Sequence, residues 1–262
     1  MIEDIRYPGR INPIVLVIFV LVMFVMLFYF DRVWGEQPDS KAAALATKTI
    51  SAMGGVDEWK AVGAVRFNFV VEVQGNPPRV VKHLWDHKLG QDHVEWEKDG
   101  KQTVAWVDLK TKTGNAWADA KKLEGSQLTA ALETAYARWV NDTYWLIMPF
   151  KLLDPGVNLK YEGQKPGHEV LHLSFEKVGL TPGDQYWAFI SSDSGLMDLW
   201  QYELQDGTKG SWIWKEWGAY GKIKLSKLKE SSDRKVNIRF EPLLVMDSAD
   251  SSFFGNELKR LD

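Results

Sequence analysis

The sequence predicts an α+β protein in which a single N-terminal transmembrane helix precedes a large curved antiparallel β-sheet, a half-barrel covered by two or three helices. Three observations support this prediction: an apolar run near the N-terminus, two helical patterns farther along, and strand-like alternation of apolar and polar residues elsewhere. The chain has 262 residues, enough for one large domain with a buried core.

The apolar run predicts a membrane anchor at residues 11–30, which contain no charged side chain. A helix of about 20 residues spans roughly 30 Å, the thickness of a bilayer core. A cleaved secretory signal is disfavoured because Asp31 and Arg32 follow, and no small-residue cleavage site is present. The residues chosen to represent the anchor are Ile14, Leu16, Phe19, Leu21, Phe24, Leu27 and Phe30.

The anchor divides the chain into five predicted segments. They are a polar head at 1–10, the transmembrane helix at 11–30, a linker at 31–39, a half-barrel domain at 40–242 and a C-terminal tail at 243–262. Basic residues flank the apolar run on both sides, so the positive-inside rule does not orient it.

Two helical elements are predicted directly after the linker. The segment SKAAALATKTISAMGG begins at Ser40, with Asp39 or Ser40 as its N-cap, and the pair Gly54–Gly55 ends it. A short turn at Val56–Ala61 presents Trp59.

A third helix is predicted at Ser126–Val140, with Ser126 as its cap and apolar residues at helical spacing. The following residues, NDTYWLIMPFKLLDPG, are predicted to form a loop. Within it, Asn141-Asp142-Thr143 is a formal glycosylation sequon or a simple turn. The large side chains of this loop are a candidate contact region or a plug for the open side of the sheet: Tyr144, Trp145, Met148 and Phe150.

Period-2 alternation predicts about ten or eleven strands joined by tight turns. The pair Asp99-Gly100 separates HVEWE from QTVAWV and predicts a two-residue hairpin whose residues need positive φ. Similar turns are predicted at 192–195 and 205–208. The later strands are predicted at Val157–Tyr161, Glu169–Glu176, Gln185–Ile190, Met197–Leu204, Ser211–Trp217, Gly221–Leu225 and Val236–Phe240.

Composition excludes several classes of protein. The formal net charge of -3 excludes nucleic-acid binding through bulk positive charge. The absence of cysteine excludes disulfides, thiolate zinc sites, cysteine nucleophiles and lipid attachment through cysteine. The 13 tryptophans are many for a soluble domain.

The motif His168-Glu169-Val170-Leu171-His172 matches the H-E-x-x-H pattern of zinc hydrolases, which requires a helix. Alternation predicts a strand here, which would separate the two histidines by ~13 Å, too far for one metal ion. His83, His87 and His93 are interpreted as partly exposed histidines of the sheet. We therefore predict no catalytic residues, no metal site and no cofactor.

Three stretches carry a resemblance to a known group. They are Met53-Gly54-Gly55 followed by Trp59 and a strand near Arg66, the segment from Val140 to Gly156, and VGLTPGD at 178–184. Together they resemble uncharacterised bacterial envelope proteins related to the outer-membrane lipoprotein-sorting (LolA/LolB-like) superfamily, over roughly residues 40 to 228.

The resemblance implies a half-barrel wrapped around covering helices, a periplasmic location and an apolar concavity that holds acyl chains in the sorting proteins. Tryptophans in strand segments are candidates to line such a concavity, or simply to pack the core. They include Trp85, Trp96, Trp106 and Trp187. The predicted anchor departs from a soluble carrier, which must diffuse between membranes.

Three functions follow as hypotheses. The first is a non-catalytic accessory subunit of a larger bacterial membrane complex, photosynthetic or respiratory, whose β domain covers the aqueous face. The second is a membrane-tethered lipid or lipoprotein binder. The third, a metal-dependent hydrolase using the H-E-x-x-H motif, is the weakest. The expected partners are membrane lipid, other integral membrane subunits and an acyl chain as ligand, at the inner membrane, with no nucleic acid.

Overall fold

One antiparallel sheet of thirteen strands dominates the structure, a computed structural model that describes residues 39–175 and 183–262. The predicted transmembrane helix at 11–30, with its seven representative residues, lies outside the described residues, as do the head at 1–10 and most of the linker. Within the described ranges, every helix is too short or too polar to cross a bilayer.

The sheet has its first and last strands at its centre. Its order is β6-β5-β4-β3-β2-β1-β13-β12-β11-β10-β9-β8-β7, so the chain runs outward from β1 to one edge and returns inward from the other edge to β13. The strand bounds are β1 Ala64–Val73, β2 Arg79–Asp86, β3 Gln91–Lys98, β4 Lys101–Asp108, β5 Gly114–Ala118, β6 Lys121–Lys122, β7 Val157–Lys165, β8 His168–Phe175, β9 Gln185–Ser191, β10 Met197–Glu203, β11 Lys209–Tyr220, β12 Ile223–Ser231 and β13 Val236–Met246.

The edge strands β6 and β7 are consecutive in the chain, so the segment between them must connect the two edges of the sheet. That segment contains the helix α3 at Gly125–Ile147, which has 23 residues and a length of ~34 Å. Thirteen strands spaced ~4.8 Å apart would place the edges of a flat sheet ~58 Å apart. The sheet instead curves around the helix, and it does not close.

Two shorter helices precede the sheet: α1 at Ser40–Ala52 and α2 at Val56–Ala61. Of the two predicted caps of α1, Asp39 is confirmed, since its Oδ1 accepts a hydrogen bond from the backbone N–H of Lys41 at 2.9 Å. The short turn predicted at Val56–Ala61 forms the helix α2, in which the side chain of Trp59 is buried. The prediction of an α+β protein with an antiparallel curved sheet is confirmed.

Two predictions around α3 are wrong. The helix continues seven residues beyond Val140, and a 3-10 turn at Met148–Lys151 follows, where a loop was expected. The segment NDTYWLI contains neither glycine nor proline, and Thr143 Oγ1 bonds the carbonyl of Trp139 within the helix at 2.6 Å. Ser126 does not cap the helix either, because the N-cap position belongs to Glu124.

The hairpin signals proved reliable, whereas the strand count was too low. β3 ends at Lys98 and β4 begins at Lys101, with φ of 54° at Asp99 and 74° at Gly100, as the predicted two-residue turn requires. The described chain has thirteen strands because Gly114–Ala118 and Lys121–Lys122 also pair, and neither carries enough alternation to be recognised.

Two apolar clusters fill the inner face of the sheet. The first joins β1 to β5, β12 and β13 with the end of α1, with α2 and with most of α3; its large members include Trp59, Phe67, Trp85, Trp96, Phe150 and Phe240. The second joins β7 to β11 with α1; its large members include Leu45, Met148, Leu171, Ile190, Trp200 and Trp214. Trp145 and Trp217 contact both clusters.

The C-terminal residues cover the outer face of the first half of the sheet. Trp106 Nε1 donates to the carbonyl of Gly255 at 2.6 Å, and the guanidinium of Arg66 donates to the carbonyl of Asp262 at 3.0 Å. β13 itself continues past residue 242 to Met246. The first half of the sheet is therefore packed on both faces.

The hairpin at Asp99-Gly100 gives a test of the fold. Replacing Gly100 with alanine should lower the free energy of unfolding by about 1–2 kcal/mol, because an L-residue resists the left-handed conformation even where its Cβ meets no atom. Urea unfolding followed by circular dichroism measures this. Gly255→Ala is the control: its φ of -103° suits alanine and the new Cβ has room. An equal loss in both variants would contradict the argument.

Candidate functional site

The candidate site is the inner face of the sheet beneath α3. Six of the eight side chains that the sequence marked for contact or for lining a cavity lie there: Tyr144, Trp145, Met148, Phe150, Trp85 and Trp96. Met148 is fully buried and Phe150 is 6% exposed, so neither of them forms an open contact surface. The helical conformation of this segment turns these side chains toward the sheet.

Trp106 and Trp187 lie on the opposite, outer face. Trp106 is held by the C-terminal residues, as described above. Trp187 packs against the ring of His172 with ring centroids 5.0 Å apart, whereas its chain neighbours Tyr186 and Ala188 join the inner cluster. The structure therefore does not bring these two tryptophans together with the other six residues.

An aromatic group joins α3 to the second half of the sheet. The ring of Trp145 lies 4.6 Å from that of Trp200 and 4.9 Å from that of Trp212, between centroids. Tyr144 approaches Trp200 at 5.8 Å and Tyr186 at 6.0 Å. Burial raises the pKa of Tyr144 well above its usual value, so this hydroxyl stays protonated.

A second aromatic group joins α2 and α3 to the first half. Trp59 stacks on Phe150 at 5.1 Å and contacts Trp85 at 5.8 Å, and Trp139 meets Trp85 edge to face at 5.8 Å. Such tilted and offset pairs are favoured by ring quadrupoles. The inner face is thus aromatic along both halves of the helix.

A buried ionic cluster ties α3 to the first half of the sheet. His83 on β2 lies between two carboxylates: its Nδ1 is 2.8 Å from Asp92 Oδ2 on β3, and its Nε2 is 3.1 Å from Asp142 Oδ2 on α3. The imidazole is fully buried and stacks on Phe67 at 4.6 Å. Both ring nitrogens can donate only in the imidazolium form.

Two carboxylates, Asp92 and Asp142, and two basic side chains, His83 and Arg138, form this cluster. Burial by itself would lower the pKa of His83, but the two carboxylates together raise it to about 9. Burial raises the pKa of Asp92, and attraction to His83 opposes that rise. The positive charge is assigned to His83 because its ring contacts two carboxylates at once. Arg138, one turn before Asp142 on α3, is attracted to the second carboxylate.

The interpretation as partly exposed histidines was wrong for His83 and His93, whereas His87 is half-buried as expected. His83 is 0% exposed and His93 is 1% exposed, where its Nδ1 donates to the carbonyl of Phe253 at 2.9 Å. The interpretation of Asn141-Asp142-Thr143 as a turn was also wrong, since Asp142 faces the sheet from within α3. Alternation along β2 places His83 on the same face as Val81 and Trp85. This was the sequence signal that the side chain of His83 points into the protein.

Lys229 is a buried amine that no sequence signal singled out. This β12 side chain is 0% exposed, and its Nζ donates to the carbonyl of Ser226 at 2.6 Å. The amine also lies 4.2 Å from the ring centre of Trp214 and 4.4 Å from that of Phe240. Burial lowers the pKa of Lys229 well below its usual value. In the described part of the chain, no carboxylate pairs with it.

The indole N–H groups beside this lysine have no acceptor among residues 39–175 and 183–262. Trp200 and Trp214 are each 2% exposed, and the Nε1 atom of each makes no hydrogen bond there. Their rings are 6.1 Å apart between centroids. Buried donors are nearly always paired in proteins. The indole N–H of Trp139 in the first half of the sheet also lacks a partner, but only the pair in the second half lies near a buried amine.

The H-E-x-x-H segment lies on β8, as predicted. His168 bonds Asp198 at 2.7 Å and His172 bonds Gln185 at 2.7 Å, so each imidazole has its own partner on the outer face. Within residues 39–175 and 183–262, no group of three or more potential ligands could hold a metal ion.

Comparison with known proteins reveals a shared fold. No protein-family model and no curated protein matches the chain. The structure is similar to that of a DUF1329 family protein from Desulfovibrio piger, with a TM-score of 0.50, 11% identity and coverage of 82% of this chain and 97% of that one. At this identity the likeness establishes the fold alone.

Two further solved structures are similar to a lower degree. One is a putative outer membrane lipoprotein-sorting protein domain from Vibrio parahaemolyticus, with a TM-score of 0.46, 9% identity and coverage of 82% and 96% of the two chains. The other is a LolA superfamily protein from Nitrosomonas europaea, with a TM-score of 0.45, 7% identity and coverage of 82% and 97%.

The ionic cluster predicts a pH dependence of stability. The pKa of His83 rises from 6.5 to about 9 on folding, so its contribution is fully present below pH 6.5 and is lost as the pH rises through 9. The free energy of unfolding should fall by about 3 kcal/mol over that interval. Urea unfolding of the wild type and of His83→Gln between pH 6 and 10 measures the difference in slope.

His172→Gln is the matched control, because it removes an imidazole that bonds a neutral glutamine at the outer face. This variant should keep the wild-type slope. If His83→Gln and the wild type lose stability in parallel as the pH rises, His83 is not charged in the fold.

Proposed function

We propose that the protein is a non-catalytic binding protein of the bacterial envelope, which holds an acyl chain of a lipid or lipoprotein between α3 and the inner face of the sheet. The observation that carries the proposal is the placement of Trp145 on α3 over Trp200 and Trp212. This aromatic interface lies where a helix meets a sheet that has not closed.

A ligand can enter the inner face only if part of the protein moves, and α3 is the element that can move. The ladders of the sheet are strand-to-strand pairs, and α3 takes no part in them. The helix can therefore shift without breaking a backbone ladder, and an acyl chain can replace part of the aromatic packing that α3 now supplies. Apolar chains bind through buried area and need few polar contacts, which suits a face rich in large rings.

The resemblance to the lipoprotein-sorting superfamily in residues 40 to 228 favours the same class of ligand. The fold shared with the DUF1329 protein is compatible with it. A periplasmic location belongs to this proposal, and the predicted anchor at 11–30 would hold the binding domain at its membrane.

The accessory-subunit hypothesis takes second place. It depends on the helix at 11–30, which lies outside the described residues, and on a partner that no described residue selects. The lipid-binding function is supported by contacts among the described residues, and we therefore place it ahead of the accessory-subunit function.

Replacing Trp145 with alanine should strengthen acyl-chain binding about tenfold, because it removes the aromatic packing between α3 and the second half of the sheet that the chain must otherwise displace. Native mass spectrometry of the purified full chain measures the amount of bound lipid. Circular dichroism confirms that the variant is folded.

Trp187→Ala is the matched control, since it removes a half-buried tryptophan from the outer face. Lipid that adheres to residues 1–38 is common to both variants, so the difference between them isolates the interior. Equal lipid content in the two variants, or no acyl ligand in the wild type, would reject the proposal.

A further inference from the structure

We propose that the buried amine of Lys229, together with the indole N–H groups of Trp200 and Trp214, forms a head-group site for the carboxylate of a long-chain fatty acid. This inference rests on the proposed function, and it specifies the ligand. The three donors gather at the second half of the sheet, in contact with the aromatic group under α3.

The amine of Lys229 lacks a counter-charge in the described protein. Burial removes its hydration, and two aromatic faces with one carbonyl recover only part of that free energy, so the protonated form is disfavoured until an anion binds beside it. The His83 cluster shows the contrasting solution in the same protein, where carboxylates from β3 and α3 neutralise the cation. Lys229 has no such partner in the described chain, so a bound anion would supply the missing charge.

The hydrogen-bond donors at this place also lack acceptors. The amine of Lys229, once protonated beside an anion, has three protons and gives one to the carbonyl of Ser226, and the remaining protons face the rings of Trp214 and Phe240. The indole groups of Trp200 and Trp214 add two donors without acceptors. A group that only accepts hydrogen bonds is the complement of such a set, and a carboxylate accepts up to about four.

The charge and the surroundings of Lys229 favour a carboxylate over a phosphate. One ammonium balances one negative charge, and the contacts of Lys229 include no second cation. Flat aromatic rings surround the amine, which favours a small planar anion over a bulky tetrahedral one that would retain water. A single-charged carboxylate satisfies the site without a further cation.

The proposed head-group site is continuous with the region proposed for the acyl chain. Trp200 contacts Trp214 beside the lysine on one side and Trp145 of α3 on the other. A carboxylate at Lys229 would therefore have its chain directed along the aromatic contact that the proposed function assigns to the acyl group. Head group and chain would be bound by one continuous region.

The test compares 9,10-dibromostearic acid with its methyl ester, using bromine quenching of tryptophan fluorescence in the purified full chain. The wild type should bind the acid about tenfold more tightly than the ester, because only the acid carries the charge. Lys229→Met should remove this preference by weakening the acid alone. Partition into residues 1–38 is common to all variants.

Lys215→Met is the matched control, since Lys215 lies on the neighbouring strand and pairs with Glu230. It should keep the preference for the acid. Trp214→Phe, which keeps a ring and removes the N–H, should reduce the preference severalfold and serves if Lys229→Met fails to fold.

The outcomes separate the two proposals. Equal affinity for acid and ester in the wild type would overturn the head-group site and leave acyl binding intact. A preference that survives in both Lys229→Met and Trp214→Phe would also overturn it. Binding of neither compound would overturn the head-group site and the proposed function together.

Discussion

The structure depends on one topological constraint: the two edges of the sheet are consecutive in the chain. Because β6 and β7 are joined through α3, the helix must cross a face of the sheet, and a sheet of thirteen strands must curve to match a helix of 23 residues. The curved inner face then acquires a single long helical cover over two apolar clusters. The aromatic contacts of Trp145 and the ionic contact of Asp142 with His83 both lie between α3 and the sheet.

His83 and Lys229 are buried basic side chains of the inner face in opposite electrostatic situations. His83 is held between carboxylates of β3 and α3, a geometry that fixes the position of the helix more than it adds stability, since desolvation offsets much of the attraction. Asp142 lies one helical turn before Trp145, so this ionic contact also sets where Trp145 meets the sheet. Lys229 contacts aromatic rings where His83 contacts carboxylates. We infer from this difference that the His83 cluster is a structural contact, whereas the Lys229 site is incomplete without a ligand.

Local signals in the sequence predicted the local structure well. The hairpin at Asp99-Gly100 depends on two residues that favour positive φ, and the strand at His168 depends on alternation, so both were predictable. The pairing of β1 with β13 brings together residues more than 160 positions apart, and no local pattern encodes it. Alternation also defines two faces of a strand without saying which is inner, which is why Trp106 was grouped with residues of the other face.

The buried polar residues were missed for a related reason. A lysine in a strand is ordinarily assigned to solvent, and only the partner strands show that Lys229 stands opposite Trp214. The same contacts suggest how a closed interior could still admit a ligand. Exchanging the contacts of Trp145 for those of an acyl chain replaces one apolar packing with another, at little net gain. Supplying a counter-charge to a buried amine is different, because the empty protein disfavours the protonated form of Lys229. The ion pair with the head group would therefore provide the favourable difference between the closed and the occupied protein.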